Sequence, residues 1–394
     1  MTRQSKGMTV HQLGTAPAVE FAASELARYL GEMIGAAVNV HPAAAYAAGS
    51  PGIWVGTFRD AGQEESHGPT DSADDHVRVL SRGKHVLVSG VNPRSVLFAA
   101  YRWLETLGCR WLRPGKDGER VPRITCWPAK RLSLDERPSY RHRCVCIEGS
   151  CSREHVLDMI AYAAKRGFNA YFLQFRTSYT FFERWYADEG RRRKGTSLSV
   201  RQAAGLHSAA VEAALQRGLM LHMVGHGWTC EPFGIPGLEW KHFKRSIPAA
   251  ARRQFALVKG KRQLWGGIPL NTQLCYSSPK ARRIMADAVA EYAQGHPEVA
   301  IIHVWLADGA NNHCECARCR KDQPSDLYVA LLNEIDRCLT ARQLGAKIVF
   351  LAYVDLLWAP RHERIANPSR FILMFAPITR SYTRPFSAKR GGPA

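Results

Sequence analysis

The stretch Ile301–Cys319, IIHVWLADGANNHCECARC, concentrates residue types that do chemistry. An apolar, β-branched run over Val299–Leu306 reads as a buried strand, and just beyond it stands a carboxylate, Asp308. A turn through Gly309, Asn311 and Asn312 follows, then Cys314, Cys316 and Cys319 in C-x-C-x-x-C spacing. A buried strand that delivers an acid to its C-terminal end is how a sheet-based enzyme presents a reacting group. The thiolates are soft, compact donors suited to a tetrahedral ion. They fill three of its positions, so a structural zinc needs a fourth ligand from Cys275, His313, Cys144 or Cys146. The alternative is a set of reduced thiols bracing the loop. No His-rich set accompanies them, which argues against a catalytic metal.

These residues need a scaffold, and the chain offers two kinds. Residues 17–34 place Phe21, Leu26, Tyr29, Leu30 and Ile34 on one helical face, with Gly35 as the stop. Val38–Val40, Ile53–Val55, His76–Leu80 and His85–Val88 read as strands, the last two joined by a turn at Ser81–Lys84. A helix over Pro93–Leu107 and a strand at Cys109–Leu112 complete a small α+β domain, residues 1–128. The Pro- and charge-rich stretch 114–138 ends in a linker at 129–138. From 139 to 386 strands and helices alternate. Strands are expected at Tyr140–Ile147, Ala170–Phe175, Leu219–Val224, Val299–Leu306, Ile348–Tyr353 and Phe371–Phe375. Helices are expected at Glu154–Lys165, Val200–Arg217, Pro279–Gln294 and Asp326–Leu344. The strands are apolar throughout, as parallel strands covered on both faces must be. The fold class is therefore α/β, a (β/α) TIM-type barrel. Six strands are present where closure needs about eight, so an incomplete, C-terminally truncated barrel is expected, with 387–394 as a disordered tail.

The totals narrow the classes further. Hydrophobic residues make up 46% of the chain, enough for real cores, yet no window approaches the ~20 apolar residues of a membrane span. The start MTRQSKGMTVHQLG has no apolar signal-peptide core, so the chain as written reads as cytoplasmic. A net charge of +20 raises a nucleic-acid partner or an acidic substrate. Its densest run, Arg191–Lys194, comes without any helix-turn-helix, RNA-binding or finger pattern, so no specific nucleic acid is expected. Eleven cysteines, clustered at 144–151 and 314–319, favour thiols or a metal over a disulfide framework.

Several motifs, taken as a set, resemble known families. Ala23–Leu30 with Gly35, then Val91–Leu107, Gly108-Cys-Arg-Trp-Leu-Arg-Pro-Gly115 and Val121-Pro122, resemble the small domain that precedes α-glucuronidase and β-hexosaminidase barrels. The rest resembles domain-of-unknown-function family 4838, which includes glycoside hydrolase family 163, endo-acting β-N-acetylglucosaminidases that are often exported. Its matching pieces are Gly225-His-Gly-Trp228, Gly260-Lys-Arg262 with Gln273-Leu-Cys275, and Asp308 with the C-x-C-x-x-C set. Ser325-Asp326 with Asn333, and Leu351-Ala-Tyr353, extend the match.

The resemblance implies glycosidic bond cleavage, which takes two carboxylic groups or one acid plus a carboxylate that orients the substrate's acetamido group. Asp308, ending the fourth predicted strand, occupies the position where such families place an acid. It is the general-acid candidate; the plainer role is a cap on its turn. Glu148, after the first strand, and Asp355, after the fifth, are the candidate partners; Asp355 also suits an N-cap for Leu356–Trp358. The glycines around His226 permit close approach, and Trp228 offers a face on which a pyranose can stack. Arg141 and Arg143, two apart on one strand, point the same way, toward a sugar or into an ion pair within the barrel wall. Tyr353 and Asn312 complete the expected substrate contacts. The expected function is hydrolysis of N-acetylhexosamine- or uronate-containing glycans with no required cofactor. The alternatives are an inactive carbohydrate-binding remnant and, more distantly, a zinc-braced nucleic-acid binder.

Overall fold

The computed structural model describes residues 8–63, 73–125, 131–147, 149–150, 152–186 and 198–386. By internal contacts the chain forms two compact units, one of residues 1–173 with 181–221, the other of 174–180 with 222–394.

The first unit opens with β1 (Thr9–Leu13), α1 (Pro17–Ile34), β2 (Asn39–Ala43), β3 (Gly52–Thr57), β4 (Val77–Arg82), β5 (His85–Gly90) and α2 (Pro93–Thr106). Two short strands follow, β6 (Arg110–Trp111) and β7 (Glu119–Arg120), then β8 (Leu132–Glu136). The main sheet has the order β2-β1-β3-β5-β4-β8. Pairing is parallel from β2 to β5 and antiparallel from β5 through β4 to β8. α1 and α2 pack on each other and on this sheet. Pro17 starts α1 with its φ preset, and Gly35 ends it at φ 69°, a left-handed position that suits glycine. Asn92 caps α2 by accepting from the Ser95 N–H at 2.8 Å. Thus the expected α+β domain forms, with two differences. β1 has weak apolar contrast, TVHQL, and is recruited between β2 and β3. Residues 132–136, expected as linker, form an edge strand, because the alternation of LSLDE buries Leu134 opposite Val79.

The chain continues with β9 (Cys144–Cys146), α3 (Arg153–Lys165), β10 (Ala170–Gln174), α4 (Tyr179–Tyr186), α5 (Val200–Gln216) and β11 (Met220–Gly225). After a long loop containing α6 (Ala249–Arg252) and the hairpin β12 (Leu257–Val258)–β13 (Lys261–Arg262) come α7 (Pro279–Gly295) and β14 (Ile301–Val304). α8 (Pro324–Ala341), β15 (Lys347–Ala352) and β16 (Phe371–Phe375) follow. The second sheet has six strands in the order β16-β15-β14-β11-β10-β9, a parallel half-barrel. It is the incomplete TIM-type architecture expected from the apolar runs, and β10, β11 and β14 are buried along their whole length. β9 is shorter than expected because the residues before it turn to side-chain partners: Arg143 N donates to Asn169 Oδ1 at 2.9 Å.

The Ser325-Asp326…Asn333 motif has a structural role in α8. Asp326 Oδ1 accepts from the N–H groups of His362 (2.7 Å) and Glu363 (2.9 Å). Asn333 donates to Arg364 O and accepts from Ala366 N. Together they pin the 361–366 loop between β15 and β16. Among the described residues, no helix is long and apolar enough to cross a membrane. The basic run 191–194 and the tail 387–394 lie outside the described residues.

Candidate functional site

The loops after β14 and β15 are tied to one another around Asp308. Asp308 N donates to Leu270 O at 3.0 Å, which fixes the backbone. Its Oδ1 accepts from its neighbour Gly309 N (2.8 Å) and from the Tyr353 hydroxyl (3.3 Å). Among the described residues, Oδ2 accepts no hydrogen bond, and the residue is partly exposed. Asp355 is the second link: its Oδ2 accepts from Asn311 N at 2.8 Å and stands 3.8 Å from His313 Nε2. Burial lowers the pKa of His313, and Asp355 only partly opposes it. Asp355 lies inside a 3-10 turn, Val354–Leu356, and is not the N-cap expected ahead of Leu356–Trp358. Between Tyr353 and Asp355, Val354 has φ 47°. A β-branched residue in the left-handed region costs about 1–3 kcal/mol, the kind of strain that persists where surrounding bonds over-determine the backbone.

Beside Asp308 lies a pocket of about 200 Å³ that includes Lys259, Lys261, Gln263, Trp265, Gln273 and Asn312 in its lining. Two of these residues join it to the acid's loop. Asn312 Nδ2 donates to Asp308 O and Asn271 O, both at 2.8 Å. Gln273 exchanges hydrogen bonds with the backbone of Ala307 at 3.2 and 3.3 Å. Asn312 is buried, and its Oδ1 has no partner among the described residues. A buried orphaned acceptor of this kind is a place for an ordered water. Trp265 is half-buried with Lys259 Nζ 6.0 Å from its ring centre, so the pocket combines an aromatic face with cations. Trp265 and Lys259 were missed in the sequence, while Lys261 stood there only as part of Gly260-Lys-Arg262, with no role given to it.

The Gly-His-Gly-Trp segment is packed differently from the expectation. Trp228 is 0% exposed; its Nε1 donates to His303 O at 2.8 Å and its ring meets Tyr292 edge-on. No pyranose reaches that face here, because core packing has taken it. His226 is buried among Phe175, Trp240 and Trp305, with ring centres 6.2, 5.8 and 5.2 Å away. It thus braces the Trp305 side of the segment leading to Asp308. Gly227 of this segment, with Gly237, makes room for a neighbouring acid that sequence reasoning also missed. Glu231 Oε2 accepts from Arg176 Nη1 and the Thr177 hydroxyl, each at 3.1 Å. A Cβ at Gly227 or Gly237 would come within 3.2 or 3.0 Å of Oε1. Burial raises the Glu231 pKa in spite of Arg176.

Arg141 and Arg143 are engaged within the first unit. Arg143 Nη2 is 2.6 Å from Asp75 Oδ2, and Arg141 Nε is 2.9 Å from Asp74 Oδ1. Asp75 also holds Arg94 and the Ser95 hydroxyl. Despite its burial, Arg94 and Arg143 keep its carboxyl below the usual 3.8. These arginines adopt the ion-pair role, which the two-residue spacing left open. Glu148 lies outside the described residues.

Four thiols form the remaining cluster. Cys275, Cys314, Cys316 and Cys319 have sulfurs all within 4.8 Å of one another. Cys275 supplies the fourth sulfur; His313 faces Asp355 instead, and Cys144 and Cys146 belong to the first unit. Cys275 Sγ is 3.7 Å from that of Cys316 and 3.8 Å from that of Cys319. These distances exclude disulfide bonds between those pairs, which need about 2.05 Å. Hydrogen bonds with Cys314 and Cys319 lower the pKa of the Cys275 thiol, while those with Cys275 and Cys314 raise that of Cys319.

Residues 239–391 match the family model described as "Domain of unknown function (DUF4838)", a span that includes Asp308, Tyr353, Asp355, the pocket and all four cysteines. No curated protein matches the chain. Among solved structures, a GH89 enzyme from Clostridium perfringens, in complex with its substrate GlcNAc-alpha-1,4-galactose, matches over 90% of this chain and 39% of its own. Its TM-score is 0.54 at 13% identity. A GH138 enzyme targeting pectin rhamnogalacturonan II matches 93% of this chain and 38% of its own, with TM-score 0.51 and 10% identity. CpGH84D matches 94% of this chain and 52% of its own, with TM-score 0.50 and 11% identity. The chain therefore shares its fold with these glycoside hydrolases, and it spans between about two-fifths and one-half of their length.

Proposed function

We propose that this chain is a glycoside hydrolase-type protein acting on N-acetylhexosamine- or uronate-containing glycans, with Asp308 as general acid. The observation that carries the reading is the division of labour on Asp308. Oδ1 is oriented by Gly309 N and the Tyr353 hydroxyl, which leaves Oδ2 to hand a proton to a leaving glycosidic oxygen. Asp355 serves as the second carboxylate, activating water or orienting an acetamido group, and Glu148 is the other candidate for that role. Trp265 supplies the stacking face, Asn312 shapes the pocket wall through its bonds to Asp308 O and Asn271 O, and Lys259 and Lys261 favour a sugar that carries a carboxylate. His226 positions the loop through Trp305. An endo-acting β-N-acetylglucosaminidase is one specific form of this activity.

The test compares glycans with aryl glycosides bearing an activated leaving group, using β-N-acetylglucosaminides and uronides. Asp308→Asn should lower turnover of the glycan about 10²–10⁴-fold and of the activated glycoside far less, since the latter needs no proton. Equal losses on both, or no loss, would remove Asp308 from the acid's role. The second reading, a glycan-binding protein without turnover, is favoured by one feature, the commitment of Asp355 Oδ2 to Asn311 N. It predicts saturable glycan binding by a folded, inactive wild-type chain.

A further inference from the structure

We propose that Cys275, Cys314, Cys316 and Cys319 hold a structural zinc ion that clamps the β12–β13 hairpin to the loop following Asp308. The inference is independent of the glycosidase reading. A zinc–thiolate bond is about 2.3 Å, and the edge of a regular tetrahedron with that radius is about 3.8 Å. The Cys275 sulfur stands 3.7 and 3.8 Å from those of Cys316 and Cys319, the spacing such an ion imposes. Free thiols are weak donors and acceptors, and pairs would satisfy them; nothing in their own chemistry draws four within 4.8 Å of one another. A soft, tetrahedral cation does. Four sulfurs also close the coordination sphere, so the ion has no open position and acts on structure alone.

The outer contacts fit a metal that carries four thiolates and a net negative charge. Leu257 N donates to Cys314 Sγ at 3.3 Å, Arg262 Nη2 approaches Cys275 Sγ at 3.9 Å, and the Ser277 hydroxyl lies 3.1 Å from Cys319 Sγ. The Leu257 and Arg262 donors orient the ligands and spread the charge, and the Ser277 hydroxyl, which accepts from the Cys319 thiol, would turn to donate to a metal-bound thiolate. Two of them, Leu257 and Arg262, sit in the hairpin itself. Further ties run to the residue between two of the ligands: Glu315 N donates to Leu257 O at 2.7 Å, and Lys259 N donates to Glu315 Oε2 at 2.8 Å. With only two residues in each strand, the hairpin has little hydrogen bonding of its own. The ion therefore holds the wall that presents Lys259 and Lys261 to the pocket.

Metal content of the whole chain, purified without added metal and without chelators, tests this directly by elemental mass spectrometry. About one zinc per chain is expected, released when a mercurial blocks the thiols. Replacement by cobalt should give the intense visible bands of tetrahedral thiolate coordination. Cys316→Ser should drop zinc to well under half, while Cys146→Ser, an exposed cysteine in the first unit, should retain it. In hydrogen exchange, stripping the metal from the wild type should raise exchange over 257–262 by about tenfold or more and leave β10 and β11 protected. Four free thiols with no metal bound on reconstitution, a disulfide among the four, or iron in place of zinc would each overturn the assignment. Because wild-type content and release suffice, a Cys316→Ser chain that fails to fold leaves the test intact.

Discussion

At the scale of single residues, what separates the site from its surroundings is the use made of each polar atom. Asp75 and Glu231 each have a cationic partner, whereas Asp308 keeps Oδ2 without one among the described residues. Tyr353 orients the other oxygen, so Tyr353→Phe should cost about tenfold in kcat on a poor leaving group and leave binding of the glycan nearly unchanged. A change in KM alone would make Tyr353 a binding residue. A second prediction concerns the buried pair His222 and His303, whose Nδ1 and Nε2 lie 2.9 Å apart on neighbouring strands. Burial, with His222 alongside, holds the His303 pKa well below its ordinary 6.5. The unfolded chain thus binds a proton that the folded chain refuses, and stability is lost as pH falls below about 6.5 toward the folded value. Thermal midpoints should decline over that range, less so in His303→Gln; a flat profile in the wild type would dissociate the pair from stability. Residue type and order are legible in the sequence, and so Asp308 and three of the cysteines stood out. Burial was not legible: Trp228 looked like a sugar platform by type, and only packing shows its face already covered.

Elements were legible where burial imposed a pattern over several residues. β10, β11 and β14 are continuous apolar runs because both their faces are covered, and the parallel sheet follows from that. β12 and β13 gave no such signal, since two-residue strands are held by contacts with Cys314 and Glu315, 57 and 58 residues away from Leu257. The fourth cysteine was ambiguous for the same reason: C-x-C-x-x-C is local, but Cys275 joins it only through the fold. The 361–366 loop is a measurable case of tertiary anchoring. Asp326→Ala removes a carboxylate that accepts three backbone N–H groups, those of His362, Glu363 and Gln323 at the start of α8, at a cost of about 1–3 kcal/mol given that the freed amides can reach water. Faster hydrogen exchange should be confined to 361–366 and the first turn of α8, with the rest of α8 still protected. Exchange rising uniformly through β15 and β16 would mean that Asp326 supports the sheet as well as the loop.

For the whole molecule the governing quantity is the net charge of +20, which creates a field that acts before any contact forms. Part of the cationic complement is paired locally, as at Arg94, Arg143, Arg176 and Arg282. The excess remains to attract polyanions, and Lys259 and Lys261 sit in the pocket wall where an arriving carboxylate would be held. This separates the two glycan classes by kinetics. A uronate-bearing oligosaccharide is steered by the field, so its kcat/KM should fall several-fold as ionic strength rises and the screening length shrinks from ~30 Å at ~0.01 M to ~8 Å at ~0.15 M. A neutral N-acetylhexosamine substrate feels no such steering and should turn over at a rate almost independent of salt. Charge reversal at Lys259 and Lys261 should flatten the salt response of the acidic substrate more than it alters that of the neutral one, because the focusing is local as well as global. If both substrates declined in parallel with salt, the effect would lie in the protein's own stability, and the positive field would have no part in choosing the glycan.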